Sequence, residues 1–349
     1  MTTTNRSTAP RNITDLDPPA FGELVSICDD LLWTRLTIPS KLDHINIYLI
    51  KDKDGWLAID SGPSSEVNQR LWLEIVKKLP SPNKLTGLLV THCHPDHIGL
   101  SGWLQQYFDV PVYASENEIS KAKHDELDRL SSDLEKLDSF YRALGVPDTE
   151  MRELTKYSKV MDKLYGPLPE SINFIEKGDS LVIGNRCWDV WSGSGHSVEH
   201  ICIRSDDLGV LISGDQVLPG ITPHVGTNVT SLTDNPVKKW IDSLTDLKAW
   251  VAPSALVLPA HEKIFFNAIL RVDAVLEHHY KFLNKLVDML DRWRTAEELM
   301  PFVGWGAPKG FGRYLALEEI FAHLVFLVNS GRVKVQKSRY SESMEFRST

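Results

Sequence analysis

The chain has little cysteine and no long apolar run. Its four cysteines (Cys28, Cys93, Cys187 and Cys202) are scattered over 349 residues with no CxxC pair. That spacing excludes a disulfide-rich scaffold and fits a reducing compartment. No uncharged apolar stretch reaches the roughly 18 residues of a membrane-spanning helix. The polar segment 1–23, with its Thr and Pro, lacks the apolar run of a secretory leader. A cytoplasmic protein that opens on a flexible tail, residues 1–20, is expected. Basic excess is missing too: 38 Lys+Arg stand against 47 Asp+Glu, a net charge of −9. A field of that sign argues against a surface built for nucleic acid or an anionic membrane. No fixed-period repeat is present, which excludes a solenoid.

What remains is an ordinary globular composition, 42% hydrophobic and 24% charged, long enough for about two domains. Residues 44–50 alternate as a strand, 51–55 form a charged turn, and 56–60 form a second strand stopped by Ser61-Gly62-Pro63. Helical spacing follows over 66–79, then a buried strand over 85–91. Helix and strand patterns go on alternating, which predicts an α/β layered domain over 21–270. Residues 116–170 interrupt it with a charge-rich helical pair, either a packing element or a lid over a site. Strand patterns resume at 180–183, 187–191, 200–204, 210–213 and 255–259. The C-terminal region, 271–340, predicts a long amphipathic helix over 272–293 and a capping box from Thr295 to Glu298. A second helix over 315–329 and a short hairpin complete a small winged-helix-like module. Residues 341–349 are expected to fray as a polar tail.

Histidine is where the sequence becomes specific. In Thr91-His92-Cys93-His94-Pro95-Asp96-His97, four ligand-type side chains fall within six residues, after a buried strand and before a helix pattern. In extended backbone His92 and His94 point to one face. Asp96 and His97 follow where the chain turns and can serve a second point. Burying so many polar groups without a metal would be costly. Three later strand ends repeat the theme: His196 after Ser192-Gly193-Ser194-Gly195, Asp215 after Ile212-Ser213-Gly214, and His261 after Val257-Leu258-Pro259-Ala260. Cys93 should point away from the ligands as packing.

These residues resemble the metallo-β-lactamase-fold hydrolase superfamily, with HxHxDH standing as His92 to His97 and the later ligands as His196, Asp215 and His261. The resemblance covers about residues 25–270 and implies an αββα sandwich with its metal site along one edge. It also implies one metal on His92, His94 and His196, a second on Asp96, His97 and His261, and Asp215 between them. Asp60 is implied to orient a ligand from behind. His200 falls in SGSGHSVEH, where relatives often show PGHSPGH, so the loop shape departs while His196 is kept. His200 is expected to be structural or to support a ligand.

Nitrogen and carboxylate ligands without a thiolate suit two divalent ions, Zn²⁺ first, with Mn²⁺ or Fe²⁺ tolerated. Two cations about 3.5–4 Å apart bring a shared water towards ionisation at neutral pH. The hydroxide attacks a carbonyl, with Asp96 orienting it. The expected function is a dinuclear hydrolase of a small acyl substrate: a thioester, ester or lactone. His224 and Tyr165 are candidate substrate contacts, and Lys163, His278 and His279 weaker ones. Neither nucleic acid nor membrane is an expected partner, and a homodimer is left open. The alternatives are a ribonuclease of the same superfamily, which would want a basic groove, and a redox enzyme such as a mononuclear-iron persulfide dioxygenase. A winged-helix regulator with a dead domain would not need all seven ligands.

Overall fold

The computed structural model describes residues 16–131, 134–151, 160–227, 231–303 and 310–349. Residues 1–15 of the expected tail and 152–159 of the expected insert lie outside the described residues.

Seven strands form the first sheet in chain order. They are β1 (Val25–Cys28), β2 (Leu31–Thr37), β3 (His44–Asp52), β4 (Gly55–Ile59), β5 (Leu85–Leu89), β6 (Val112–Ala114) and β7 (Asn173–Phe174). Pairing is antiparallel from β1 to β4 and parallel from β4 to β7. Parallel neighbours need crossovers, and these are α1 (Glu66–Lys78), α2 (Pro95–Ile98) with α3 (Ser101–Phe108), and α4 (Glu116–Ser131) with α5 (Leu134–Ala143).

The second sheet holds β8 (Ser180–Ile183), β9 (Arg186–Gly193), β10 (His200–Ser205), β11 (Val210–Gly214) and β12 (Leu256–Pro259). Its strands are antiparallel except β12, which joins β11 in parallel after α6 (Pro236–Trp250).

Strand alternation builds the layers. Tyr48 and Ile50 of β3 face inward and meet Trp188, Val190 and Ile203 of the second sheet in one core between the sheets. Ile45, Ile47 and Leu49 face outward under Trp72 and Ile75 of α1 and Leu104 of α3. On the far side, Trp191, Cys202 and Leu211 lie under Trp240 and Leu244 of α6 and under the helix that follows β12. The result is the expected αββα sandwich, and strand ends from both sheets reach one edge.

The C-terminal region comprises α7 (Ala268–Met289), α8 (Ala296–Leu299), α9 (Phe311–Asn329), β13 (Val333–Lys337) and β14 (Met344–Ser348). Both halves of the Thr295–Glu298 capping box are formed. Two expectations change. The long helix begins earlier than 272 and stops at Met289 rather than 293, because Arg294 and Phe346 exchange backbone hydrogen bonds of 3.0 and 2.8 Å that draw the chain into the hairpin. Residues 344–348, expected as part of a frayed tail, are a strand, since Phe346 is wholly buried. One further core joins Phe140, Tyr141 and Leu144 of the insert to Leu286 of α7, Leu317 and Phe321 of α9, and Phe346. Among the described residues no helix is long and apolar enough to cross a membrane.

Candidate metal centre

All seven expected ligands meet at the sheet edge, in two groups. In the first, His92 Nε2 lies 2.9 Å from His94 Nδ1 and 3.2 Å from His196 Nε2. In the second, His261 Nε2 lies 3.4 Å from Asp96 Oδ2, and His97 Nε2 lies 3.7 Å from that oxygen. Asp215 faces both. Its Oδ2 is 3.3 Å from His196 Nε2, while its Oδ1 is 3.2 Å from His261 Nε2 and 3.6 Å from His97 Nε2.

The strand ends explain the convergence. After β5 the chain bends at Cys93 and His94, whose own backbone is extended, and enters α2 with Pro95 at its first position, a place proline favours. That turn separates Asp96 and His97 from His92 and His94. Gly214, at φ 50°, takes the left-handed conformation that ends β11, and a Cβ there would press within 2.6 Å of the His200 ring. Asp215 is thereby delivered from β11 and His261 from the end of β12.

Partners behind the rings fix the tautomers. His97 Nδ1–H donates to Asp60 Oδ2 at 2.8 Å. His196 Nδ1–H donates to the His224 carbonyl at 2.7 Å, and His261 Nδ1–H to the His44 carbonyl at 3.0 Å. In its neutral, ligating form each of these rings therefore turns Nε2 into the site. His97 Nε2 and Asp215 Oδ1 are buried and have no hydrogen-bond partner among the described residues. Imidazole nitrogens and carboxylate oxygens converging on the same buried points are a donor set for a cation.

Electrostatics agree. Burial and neighbouring imidazoles hold His92 and His94 well below the usual histidine range, so both stay neutral and able to ligate. Burial would also lower His261, but Asp215 and Asp96 outweigh it and push it up to about 10, so without a cation this ring takes up a proton of its own, which a bound metal would replace. Burial would raise Asp96, yet His97 and His261 pull it down to about 2, so its carboxyl is ionised at neutral pH. This end of the site calls for positive charge.

Asp60 sits in the left-handed region, φ 65°, and accepts from Thr91 N–H at 2.8 Å as well as from His97. His200 is buried behind the ligands, where its Nε2 accepts the Asp215 N–H at 3.0 Å. Cys93 packs into the outer core of the first sheet. Of the candidate substrate contacts, His224 reaches the site through its carbonyl, and its ring turns towards α9. Tyr165 packs half-buried beside the core of the first sheet and joins neither ligand group. Lys163 and His278 are exposed.

The sequence reading missed Glu118. Its carboxylate, 1% exposed, accepts Cys93 N–H at 2.8 Å on one oxygen and Glu199 N–H at 2.6 Å on the other. It ties the loop of His92 and His94 to the loop of His196. A glutamate in the first turn of a charged helix looks like surface, so only tertiary packing reveals it.

His279, Glu319 and His323 also cluster. Trp240 Nε1–H donates to His279 Nε2 at 3.0 Å, which leaves His279 Nδ1–H to donate to His323 Nε2 at 2.9 Å. His323 Nδ1–H then donates to the Glu319 carbonyl at 2.7 Å. Every ring nitrogen is used, so this is a closed hydrogen-bond chain rather than a metal site.

The sequence profile of the Metallo-beta-lactamase superfamily matches residues 41–261, a span that holds every ligand above. The chain belongs to this superfamily. A beta-lactamase domain protein from Burkholderia ambifaria has a similar structure, with a TM-score of 0.87 at 28% identity, covering 97% of this chain and 98% of that one. The human acyl-coenzyme A thioesterase MBLAC2 is 23% identical over 58% of this chain and 72% of its own. The hydroxyacylglutathione hydrolase of Marinomonas sp. is 24% identical over 54% of this chain, and the match spans only 52% of that enzyme.

Proposed function

We propose that this member of the metallo-beta-lactamase superfamily is a divalent-metal-dependent hydrolase of small acyl substrates, thioesters first, with esters and lactones as further candidates. The observation that carries the reading is the pair of ligand groups sharing Asp215, each turning lone pairs inward. His92, His94 and His196 would hold one ion, and Asp96, His97 and His261 a second, with Asp215 common to both. Nitrogen and carboxylate donors without thiolate favour Zn²⁺, with Mn²⁺ or Fe²⁺ tolerated. When bound, the metal supplies Lewis acidity that lowers the pKa of water and polarises the acyl carbonyl.

The chain's own residues do the rest. Asp96 is the more exposed of the two site carboxylates, 21% against 10% for Asp215, and ionised at neutral pH. It is placed to take a proton from the attacking water and pass it to the leaving group. Asp60, through His97, and His200, through the Asp215 backbone, keep the ligands from turning away. The relatives named as an acyl-coenzyme A thioesterase and a hydroxyacylglutathione hydrolase put thioesters at the head of the list. The net charge of −9 weighs against the ribonuclease reading. His94 stands where an acidic ligand marks the superfamily's flavodiiron proteins, which weighs against that redox chemistry.

The test is a metal-resolved panel of acyl-coenzyme A and glutathione thioesters, aryl esters and lactones, with His92→Ala as control. Turnover by the wild type that His92→Ala loses supports the proposal. A zinc-loaded wild type inert on the whole panel overturns it.

A further inference from the structure

His224 has an unusual position. Its carbonyl takes the Nδ1–H of His196 at 2.7 Å, so the main chain at 224 sets the angle of a ligand ring. Its own ring leaves the site and enters a pair of carboxylates on α9. His224 Nε2 is 3.4 Å from Glu318 Oε2, and Nδ1 is 3.9 Å from Glu319 Oε2. Glu318 is held in turn, since Tyr141 of the insert donates its hydroxyl to Oε1 at 2.7 Å. A Cβ on Gly226 would collide with His224 Nε2 and come within 3.0 Å of Glu318 Cβ, so glycine lets helix and loop approach this closely.

A second connection runs beside the first. Glu319 also supplies the carbonyl that ends the chain from Trp240 through His279 and His323. Trp240 stands against the other flank of the same ligand: its ring centroid is 6.5 Å from that of His196, and its backbone packs on Gly195. Residues 195 and 196 are thus braced on one side by the His224 carbonyl and on the other by Trp240. Both braces end on α9.

We infer that α9 of the C-terminal region is part of the frame of the metal centre, with Glu318 and Glu319 as positioning residues that act through His224 on the ligand His196. The inference rests on the metal reading above and names where one ligand's orientation comes from. Partners behind a metal-bound histidine fix its tautomer and ring angle, and losing them typically costs about 10–100-fold in metal affinity. Here the partner is a loop carbonyl, and the loop is held by an ion pair from a distant part of the chain. The arrangement also gives the insert a role, because Tyr141 stays in register with Glu318 only while α5 packs on α9 in their common core.

The test is zinc affinity, read by chelator competition on the full-length protein, for wild type, His224→Ala, Glu318→Gln/Glu319→Gln, and the combined triple variant. The expected result is a loss of about tenfold in His224→Ala and in the double variant. The triple variant should lose no more than either, because all three residues belong to one connection. Tyr141→Phe, which removes only a hydroxyl, should show a smaller loss of the same kind and covers the case in which the larger changes fail to fold. Wild-type affinity retained in all four variants would overturn the inference, and so would losses that add in the triple variant. A wild type that binds no divalent metal would overturn the metal reading together with this one. Tight wild-type binding left unchanged in the variants would overturn this one alone.

Discussion

At the scale of single residues, the centre is governed by what stands behind each ligand. Asp60 receives His97 Nδ1–H and Thr91 N–H while held in a left-handed turn. Asp60→Asn would offer an amide in place of a carboxylate. The expected result is a loss of about 10–100-fold in metal affinity with little change in secondary structure, measured by chelator competition and circular dichroism. His279 makes a different prediction. Burial, with His323 and His278 nearby, depresses it to about 2, so the folded state keeps it neutral where the unfolded chain, near 6.5, takes up a proton. Below about pH 6.5 the unfolded state therefore binds more protons, and stability falls as pH falls, by about 1.4 kcal/mol per pH unit for one such group. His279→Gln should flatten the urea midpoint between pH 6.5 and 4.5 relative to wild type. The seven side chains that converge at the sheet edge were legible in the sequence, because strand ends and a tight HxHxDH cluster are local patterns. Glu118 and the pairing of Glu318 and Glu319 with His224 were not, because nothing local separates a buried glutamate from a solvated one.

At the scale of elements, alternation did most of the work. β3 was legible because its residues sort cleanly to two faces, and both faces are buried by different partners. β14 was not, because Met344 and Phe346 are spaced two apart in an otherwise polar stretch, and their value lies in a core built by α7, α8 and α9. The end of α7 was misjudged for a related reason: the pairing of Arg294 with Phe346 overrides the helical spacing that continues to Trp293. The insert is anchored at both of its helices. α4 opens with the Glu118 clamp, and α5 shares a core with α9. Glu118→Ala leaves the buried Cys93 N–H and the half-buried Glu199 N–H without their acceptor and should cost about 1–3 kcal/mol, chiefly for the buried one. A lowered urea midpoint with metal binding weakened in the same variant would match that role.

At the scale of the whole molecule, the hydrophobic core of the C-terminal region is continuous with the insert, so the two should unfold together. Phe321→Ala in this core is expected to lose about 3–5 kcal/mol. Near- and far-ultraviolet circular dichroism should report one shared transition for that variant. Removing metal should act on the same scale. If metal binds the folded state alone, its free energy adds to stability, by about 2.7 kcal/mol at one hundred times its dissociation constant. Dialysis against a chelator should lower the melting temperature and abolish turnover, and added zinc should restore both.

The placement of the ligands has one more consequence. His92 to His97 follow β5 of the first sheet, whereas Asp215 and His261 follow β11 and β12 of the second. Bound ions would fasten the two slabs of the sandwich along a seam already crossed by a few hydrogen bonds, Asn46 N–H to the Ala260 carbonyl at 2.7 Å and Ile201 N–H to the Thr91 carbonyl at 2.8 Å among them, and would close a loop of about half the chain length. Such a fastening constrains the unfolded chain much as a cross-link does. Hydrogen exchange should then show the seam opening first when the metal is stripped: amides at the ends of β5, β11 and β12 should lose protection, while the outer strands β1 and β8 keep theirs.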